Sequence, residues 1–207
     1  TFLSLLGLTV GVFCISLILT LVDSLNANIK NSFSGLGDNV VYVQKWPWLF
    51  SSDYPWWKYV NRPQVDYREY KALKRRFDKA EEIGMNARAG RQDIRVGDRI
   101  AENVNARAVT SEFASIYNKT FDKGRFFNES EGHLGSSVAV LGYDVASNLF
   151  PNGDAIGGEI RILKYKFKVI GVLEKEGESV FSGMSSDEQI FVPLQFLRKY
   201  YNLQSGS

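Results

Sequence analysis

The stretch TFLSLLGLTVGVFCISLILTLV, residues 1–22, contains no charged side chain, and Asp23 then begins a mostly polar chain. A helix rises about 1.5 Å per residue, so about 20 apolar residues are needed to cross a hydrocarbon core about 30 Å thick. Backbone polar groups inside a bilayer must pair within their own segment, which favours a helix. The sequence therefore predicts a transmembrane helix over residues 1–22.

A signal peptide or a buried core helix would fit this stretch less well than a membrane span. A secretory signal peptide needs a basic start and a cleavage site with small residues, and Val22-Asp23-Ser24 offers no such site. A core helix of a soluble protein rarely stays uncharged for so long. The flanking charges do not fix the orientation of the helix, since nothing precedes Thr1. We expect the chain to be a fragment of a longer protein.

The helical pattern continues beyond the apolar stretch. Leu25, Ile29 and Phe33 recur at four-residue spacing, and Gly35 and Gly37 are expected to end the helix. A helix ending near residue 34 would be roughly 50 Å long and would rise roughly 20 Å above the hydrocarbon. We therefore predict a stalk over residues 23–38, with Gly35 and Gly37 as candidate hinges.

The remaining residues, about 185 of them, have the composition of a folded domain. Short predicted strands and helices alternate without a strict βαβ period, so α+β is the expected class. The strands are expected at 39–43, 92–96, 99–107, 138–141, 160–163, 166–173 and 189–192, with hairpin turns at 97–98 and 164–165. The helices are expected at 66–77, 111–117, 143–150 and 194–201, and 131–136 and 174–186 are expected to be loops.

Charge and cysteine content exclude several classes of function. The 25 basic and 23 acidic residues are mixed along the chain and give a net charge of +2, so no nucleic-acid partner is expected. The single cysteine, Cys14, lies in the apolar stretch, so the polar part of the chain has no disulfide.

Catalytic groups are scarce in this sequence. His133 is the only histidine, in a polar segment without nearby cysteine, and it is expected to be solvent-exposed rather than catalytic. Glu129 with Glu131, and Asp187 with Glu188, could form acid/base pairs but are expected on a solvated surface. Neither a phosphate-binding GxxxxGK[ST] loop nor a GxGxxG run after a strand is present. We therefore predict no catalytic, cofactor-binding or metal site, and expect any ATP to be bound elsewhere.

Gly7 and Gly11 form a G-x-x-x-G pattern within the apolar stretch. Small residues at this spacing allow a second membrane helix to approach closely. The same spacing also arises by chance on a surface that faces lipid. Gly7 and Gly11 are therefore candidates for helix packing.

The segment WPWLFSSDYPWWKYVNRP, residues 46–63, contains all four tryptophans, and its three prolines argue against a regular helix or a central strand. So many aromatic side chains exceed what one short segment usually buries alone, so some are candidates for contact with a partner, a substrate or lipid headgroups. The alternative is a small hydrophobic cluster beneath a long loop. The candidate contact residues are Trp46, Trp48, Trp56 and Trp57.

The order of several short motifs resembles one family, the FtsX/MacB-type ABC transporter permeases. Residues 5–12 (LLGLTVGV) resemble the first transmembrane helix of that family, and residues 35–43 (GLGDNVVYV) resemble the exit from its stalk. Each motif is weak alone, but together they cover nearly the whole chain in the family's order. The further matching motifs are GRFF at 124–127, VAVLG at 138–142 with LF at 149–150, FKVIGVL at 167–173 and IFVPL at 190–194.

The resemblance implies a two-lobed extracytoplasmic domain after the membrane helix. A porter-like α/β lobe would be formed by residues 39–110 and 184–207, the latter leading toward a second membrane helix. A smaller β-rich lobe would be inserted between them at residues 111–183. The tryptophan-rich segment is not a general feature of the family, so the resemblance implies nothing about its role.

The resemblance also implies a function in transport. Family members lie in the bacterial inner membrane with this domain in the periplasm, form dimers, and couple ATP hydrolysis on an ABC ATPase to movement of the domain. ATP and Mg²⁺ would be bound by that ATPase, as a separate subunit or a fused domain, and not by this chain. Some members drive efflux with a periplasmic adaptor and an outer-membrane channel, whereas relatives release lipoproteins or activate cell-wall hydrolases.

A second function fits the same residues without the resemblance. The extracytoplasmic sensor domain of a membrane receptor would use the same stalk to carry ligand-induced motion inward, and it would need a concave pocket with convergent polar groups. A membrane-anchored hydrolase is a more distant alternative, because the sequence offers no credible nucleophile and base.

Overall fold

The computed structural model describes residues 2–34, 40–45, 57–63, 65–177 and 185–200. Its first element is a single long helix, α1, at Phe2–Ser34. Within α1, residues Leu6–Asn26 have a mean hydropathy of 2.2, and none of them is buried against the rest of the chain. A helix of this length and composition is able to cross a membrane. The predicted helix is thus confirmed, and the candidate hinges Gly35 and Gly37 lie outside the described residues.

The described polar part of the chain contains short helices and seven strands. The helices are α2 (Trp57–Val60), α3 (Tyr67–Arg76), α4 (Phe113–Ile116), α5 (Glu129–Leu134), α6 (Tyr143–Leu149) and α7 (Leu194–Tyr200), with a 3₁₀ turn at Ser186–Glu188. The strands are β1 (Asn86–Val96), β2 (Arg99–Val109), β3 (Phe121–Gly124), β4 (Val138–Leu141), β5 (Glu159–Ile162), β6 (Tyr165–Leu173) and β7 (Gln189–Pro193).

All seven strands join one mixed sheet in the order β3-β6-β4-β7-β2-β1-β5. β7 lies in the middle, parallel to β2 on one side and antiparallel to β4 on the other. β5 pairs with β1 and also with the first half of β6, whereas β3 pairs with the second half of the same edge of β6. Six strands therefore close into a ring, and β3 extends it. This mixture of sheet and helices confirms the expected α+β class.

Two hydrophobic clusters lie on the two faces of the sheet. The larger cluster packs α3, α6 and α7 against the inward-facing side chains of the ring, including Ile94, Leu141 and Ile190. The smaller one lies on the opposite face of β2, β4, β6 and β7 around Phe191, together with Phe113 from α4. The alternation along β2 explains this division, since successive side chains in a strand point to opposite faces.

The capping residues of α3 agree with the sequence pattern. The Asp66 side chain accepts a hydrogen bond from the backbone of the first turn, and the Glu69 carboxylate accepts one from Asp66 N at 2.9 Å. Three basic residues lie in the last turn, where the helix dipole favours positive charge. The predicted helix at 66–77 is confirmed.

The strand predicted at residues 39–43 is wrong for the residues described. Residues 40–44 have no regular secondary structure, and Val41 is 87% exposed. A strand needs a free edge to pair with, and both edges of β2 are already occupied by β1 and β7. Tyr42 instead packs its ring against Tyr117, with centroids 6.2 Å apart.

The loop predicted at 131–136 is also wrong, because α5 occupies most of it. Asn128 Oδ1 accepts a hydrogen bond from Glu131 N, and a Glu131 carboxylate oxygen accepts one from Asn128 N, both at 2.8 Å. This reciprocal cap starts the helix, and Gly135 in the left-handed region ends it.

Two further strand predictions differ from the structure. β3 was not expected, and the second hairpin turns at Leu163-Lys164, one residue earlier than predicted.

The strands expected in the two lobes pair with one another in this structure. β7, from the last predicted part, hydrogen-bonds to β2 from the first part and to β4 from the inserted part. Side chains from all three parts also share the larger hydrophobic cluster. The two-lobed division at residues 111 and 183 stays a prediction.

Candidate functional site

The candidate packing glycines of α1 lie on an open surface within the described part of the chain. A Cβ atom placed on Gly7 or Gly11 would meet no heavy atom of the rest of the chain within 4 Å. The hydroxyls of Thr9 and Thr20 donate to the carbonyls of Leu6 and Ser16 at 2.9 and 2.8 Å, so neither hydroxyl is an unpaired donor on the helix surface. The role of the two glycines in helix packing stays a prediction.

Only one of the four candidate tryptophans lies in the described part of the chain. Trp57 begins the short helix α2 and is 60% exposed. Trp46, Trp48 and Trp56 lie outside the described residues. The proposed contact role of this segment therefore stays a prediction for all four.

The only histidine lies on α5 and not in a loop. More than half of the His133 side chain is exposed, and its Nε2 lies 3.4 Å from Glu129 Oε1 one turn earlier. Glu131 is engaged elsewhere: its carboxylate accepts two hydrogen bonds from the Arg125 guanidinium, at 2.7 and 2.8 Å. Arg125 thereby lowers the pKa of Glu131. These groups stabilise the start of α5, and the histidine is exposed as predicted.

Asp187 forms a buried junction that the sequence did not predict. The residue is 1% exposed, and its carboxylate oxygens accept hydrogen bonds from Glu176 N at 3.0 Å and Gly177 N at 2.8 Å. Its own backbone N donates to Ser185 Oγ at 3.1 Å. The solvated surface expected for Asp187 is therefore wrong, because the carboxylate is used to bind backbone N–H groups.

Lys119 strengthens the same junction from the side. Its ammonium group donates to Glu176 Oε1 at 2.7 Å and to Ser186 Oγ at 2.8 Å. Asp187 binds residues 176–177 directly, and Lys119 bridges Glu176 and Ser186, so both connect residues 176–177 to residues 185–187. We call this arrangement the Asp187 junction. It fixes the position at which the chain leaves β6 and returns to β7.

A shallow cleft lies between α3, the start of α4, α5 and α7. Its walls include Tyr67, Tyr70, Glu112, His133 and Gln195. The Lys74 ammonium donates to the Glu112 carboxylate across the edge of this cleft. On its other side the Arg198 guanidinium lies 4.0 Å from the centre of the Tyr67 ring. These contacts connect α3 to α4 and α7, the last described helix.

The Lys74–Glu112 pair predicts a pH-dependent stability. Burial raises the pKa of Glu112, but hydrogen bonds to the carboxylate, first of all from Lys74, outweigh it and the net change is downward. A depressed folded-state pKa stabilises the protein above the ordinary carboxyl range, and this stability is lost as pH falls through the folded value. We expect Glu112→Gln to lower the free energy of unfolding by about 1 kcal/mol at pH 7 and by progressively less as pH falls below about 4.

Urea unfolding of the wild type and of Glu112→Gln, at pH 7 and again below about pH 4, measures this effect. Glu81→Gln is the matched control. Glu81 is exposed and follows α3, the helix that carries Lys74, by a few residues in the chain. An equal loss at both pH values would show that the Glu112 carboxylate does not contribute through its charge.

The described residues do not form a recognisable catalytic centre. Among them, no group of three or more histidine, cysteine, aspartate or glutamate side chains could hold a metal ion. His133 has a carboxylate neighbour, but no serine, threonine or cysteine of the described segments is hydrogen-bonded to it. The arrangement is suited to holding helices and loop ends together.

Comparison with known proteins gives consistent matches along the chain. The MacB-like periplasmic core domain family matches residues 1–206. The pyoverdine export ATP-binding/permease protein PvdT of Pseudomonas savastanoi is 25% identical over 202 residues, and the macrolide export ATP-binding/permease protein MacB of Wolinella succinogenes is 26% identical over 193 residues. Each alignment covers 93% of this chain and 28% of the relative, so the chain spans little more than a quarter of their length.

A solved structure shows the same fold. The periplasmic region of MacB from Actinobacillus actinomycetemcomitans matches with a TM-score of 0.59 at 15% identity. The match covers 72% of this chain and 64% of that one.

Proposed function

Because the chain belongs to the MacB-like periplasmic core domain family, we propose that it is the extracytoplasmic domain and first membrane helix of an export permease. In this proposal α1 spans the bacterial inner membrane and the sheet domain lies in the periplasm. ATP hydrolysis on an ABC ATPase, either fused or separate, moves the domain and drives export. The domain itself is not catalytic, and ATP and Mg²⁺ are bound by the ATPase.

The observation that carries the proposal is the length of α1. Its apolar part ends at Asn26, yet the helix continues without interruption to Ser34. Eight further residues extend a helix by about 12 Å, beyond the hydrocarbon. A continuous helix transmits displacement and rotation, whereas a flexible linker does not. In this proposal α1 connects motion in the membrane with motion outside it.

The partners follow from the family and are proposals for this chain. An ATPase is required for the energy, and a second permease copy would complete a dimer, with Gly7 and Gly11 available for contact between membrane helices. A periplasmic adaptor and an outer-membrane channel would carry the substrate onward. The relatives' names make a macrolide or a pyoverdine the first substrates to test.

The coupling role of α1 can be tested in the full-length protein, purified from native membranes with its ATPase and placed in sealed vesicles. The triple variant N26G/A27G/N28G weakens the helix by about 3 kcal/mol relative to three alanines at the same positions, since each glycine costs about 1 kcal/mol relative to alanine. We expect hydrolysis to stay within about twofold while macrolide or pyoverdine export falls about tenfold or more.

The variant N26A/N28A is the matched control. It places alanine at positions 26 and 28, position 27 is already alanine, and the helix is preserved. Export at wild-type rate in the triple-glycine variant would contradict rigid coupling through α1. Co-purification of a signalling kinase or cyclase, without any ABC ATPase, would overturn the transport proposal in favour of a sensor.

A further inference from the structure

Five arginines lie on one outward face of the sheet, opposite the larger hydrophobic cluster. The register places Arg88 opposite Arg107 between β1 and β2, and Arg91 opposite Asn105 on the same face. Across the other edge of β1, Arg95 lies opposite Arg161 of β5, and Arg161 lies opposite Lys166 of β6. We call this surface the arginine face; its cations are Arg88, Arg91, Arg95, Arg107, Arg161 and Lys166.

Three directly opposed pairs on this face have like charge. They are Arg88 with Arg107, Arg95 with Arg161, and Arg161 with Lys166. Like charges directly across a strand pair are destabilising. The isolated domain therefore loses stability at this surface, and a bound group of opposite charge would recover it.

Acidic side chains of the domain do not neutralise the arginines. Asp93 accepts a hydrogen bond from Asn103 N at 3.1 Å, and Glu159 pairs with Lys166 at 2.6 Å. Glu102 is exposed at the bulge between β1 and β2. In the described structure, none of the five arginines makes an ion pair, so the face keeps a net positive charge.

Arg107 is the least solvated member of the face. It is half-buried beside the smaller hydrophobic cluster, opposite Phe191 in the sheet register. Burial, with the neighbouring Arg88, lowers the pKa of the Arg107 guanidinium. A partly dehydrated cation without an anion gains more from a carboxylate than a fully exposed one does.

We propose that the arginine face is a docking surface for a protein partner that presents a cluster of carboxylates. The guanidinium fork matches carboxylate geometry with two parallel hydrogen bonds, and arginine is enriched in protein interfaces whereas lysine is depleted. Five of the six cations are arginine. Ile100, opposite Arg95 and 48% exposed, adds an apolar contact at the end of the face nearest the β1–β2 turn. This proposal does not depend on coupling to ATP hydrolysis.

The test measures binding of a poly-glutamate peptide to the full-length protein in uncharged-lipid nanodiscs. The variant R91Q/R95Q/R161Q removes three exposed charges from the face. The control R68Q/R75Q/R76Q removes three exposed arginines from α3, so both variants have the same net charge. We expect the first variant to weaken binding about tenfold or more and the control to change it less than about twofold.

Thermal unfolding shows whether the first variant is folded, and removal of like-charge pairs is expected to leave its midpoint equal or higher. Equal weakening by both variants would overturn the proposal, because binding would then follow net charge alone. Binding to phosphatidylglycerol vesicles without binding to poly-glutamate would also overturn it, since the face would then recognise a lipid surface.

Discussion

Replacing Asp187 by alanine is expected to lower the free energy of unfolding by about 3 kcal/mol, because two backbone N–H groups lose a buried charged acceptor. The acceptor oxygens lie 3.0 and 2.8 Å from Glu176 N and Gly177 N, and Asp187 itself is 1% exposed. Among the described carboxylates of the junction, Glu176 is bound by Lys119 and is not free to replace them. Thermal unfolding in detergent measures the loss, which for a domain of this size is expected to lower the midpoint by about 6–12 °C.

The neighbouring substitution Glu188→Ala is the matched control. Glu188 is exposed and lies in the same 3₁₀ turn, so its removal is expected to change stability by less than about 0.5 kcal/mol. Equal midpoints for the two variants would show that the Asp187 hydrogen bonds do not hold the junction. Asp187→Asn keeps one acceptor oxygen and is expected to fall between alanine and wild type.

Replacing Gly142 by alanine is expected to destabilise the domain by about 3 kcal/mol through direct collision with the same junction. A Cβ atom at Gly142 would lie 2.2 Å from Ser186 O and 2.4 Å from Asp187 O. These are backbone atoms, so the 3₁₀ turn itself would have to move. Gly142 N also donates to Gln189 O at 2.8 Å, and the shift would disturb the start of β7.

Hydrogen exchange of the peptides that contain β4 and β7 is the sharpest measurement for this variant. A loss of about 3 kcal/mol corresponds to exchange about 100-fold faster where exchange occurs by opening of this region. Gly132→Ala is the control, because a Cβ atom there would have its nearest neighbours at 3.7 Å in ordinary contact. Alanine also favours the helix α5, so this control is expected to be neutral or stabilising. Similar exchange in both variants would contradict the predicted collision.

The elements with strong local signals could be predicted from sequence. The uncharged run at the start gave α1, and the Gly97-Asp98 turn between two β-rich runs gave the β1–β2 hairpin. The Asp66 cap and the basic last turn gave α3. In each case the physical cause lies within a few neighbouring residues.

Features that depend on distant partners were missed or mispredicted. Residues 40–43 have strand-forming side chains, but strand formation requires a free sheet edge that sequence does not reveal. Asp187 looks like a surface residue until residues 176–177 are placed beside it. α5 is an exception, because the Asn128 and Glu131 spacing of its capping box was visible in the sequence.

In the candidate site, too, features with local causes could be predicted and features that depend on distant residues could not. Exposure of His133 could be predicted from its polar neighbours. The arginine face could not, because its members come from β1, β2 and β5, as many as 73 positions apart in the sequence. A net charge of +2 over the whole chain conceals that segregation.

The central position of β7 has a consequence for biosynthesis. β2 and β4 are the neighbours of β7 in the sheet, yet β7 is the last of the seven described strands to leave the ribosome. Until residue 193 is available, the facing edges of β2 and β4 have no partner, and contacts of such long sequence separation form slowly. The newly made chain therefore passes through a stage with two unpaired strand edges, at which chaperones and proteases have access.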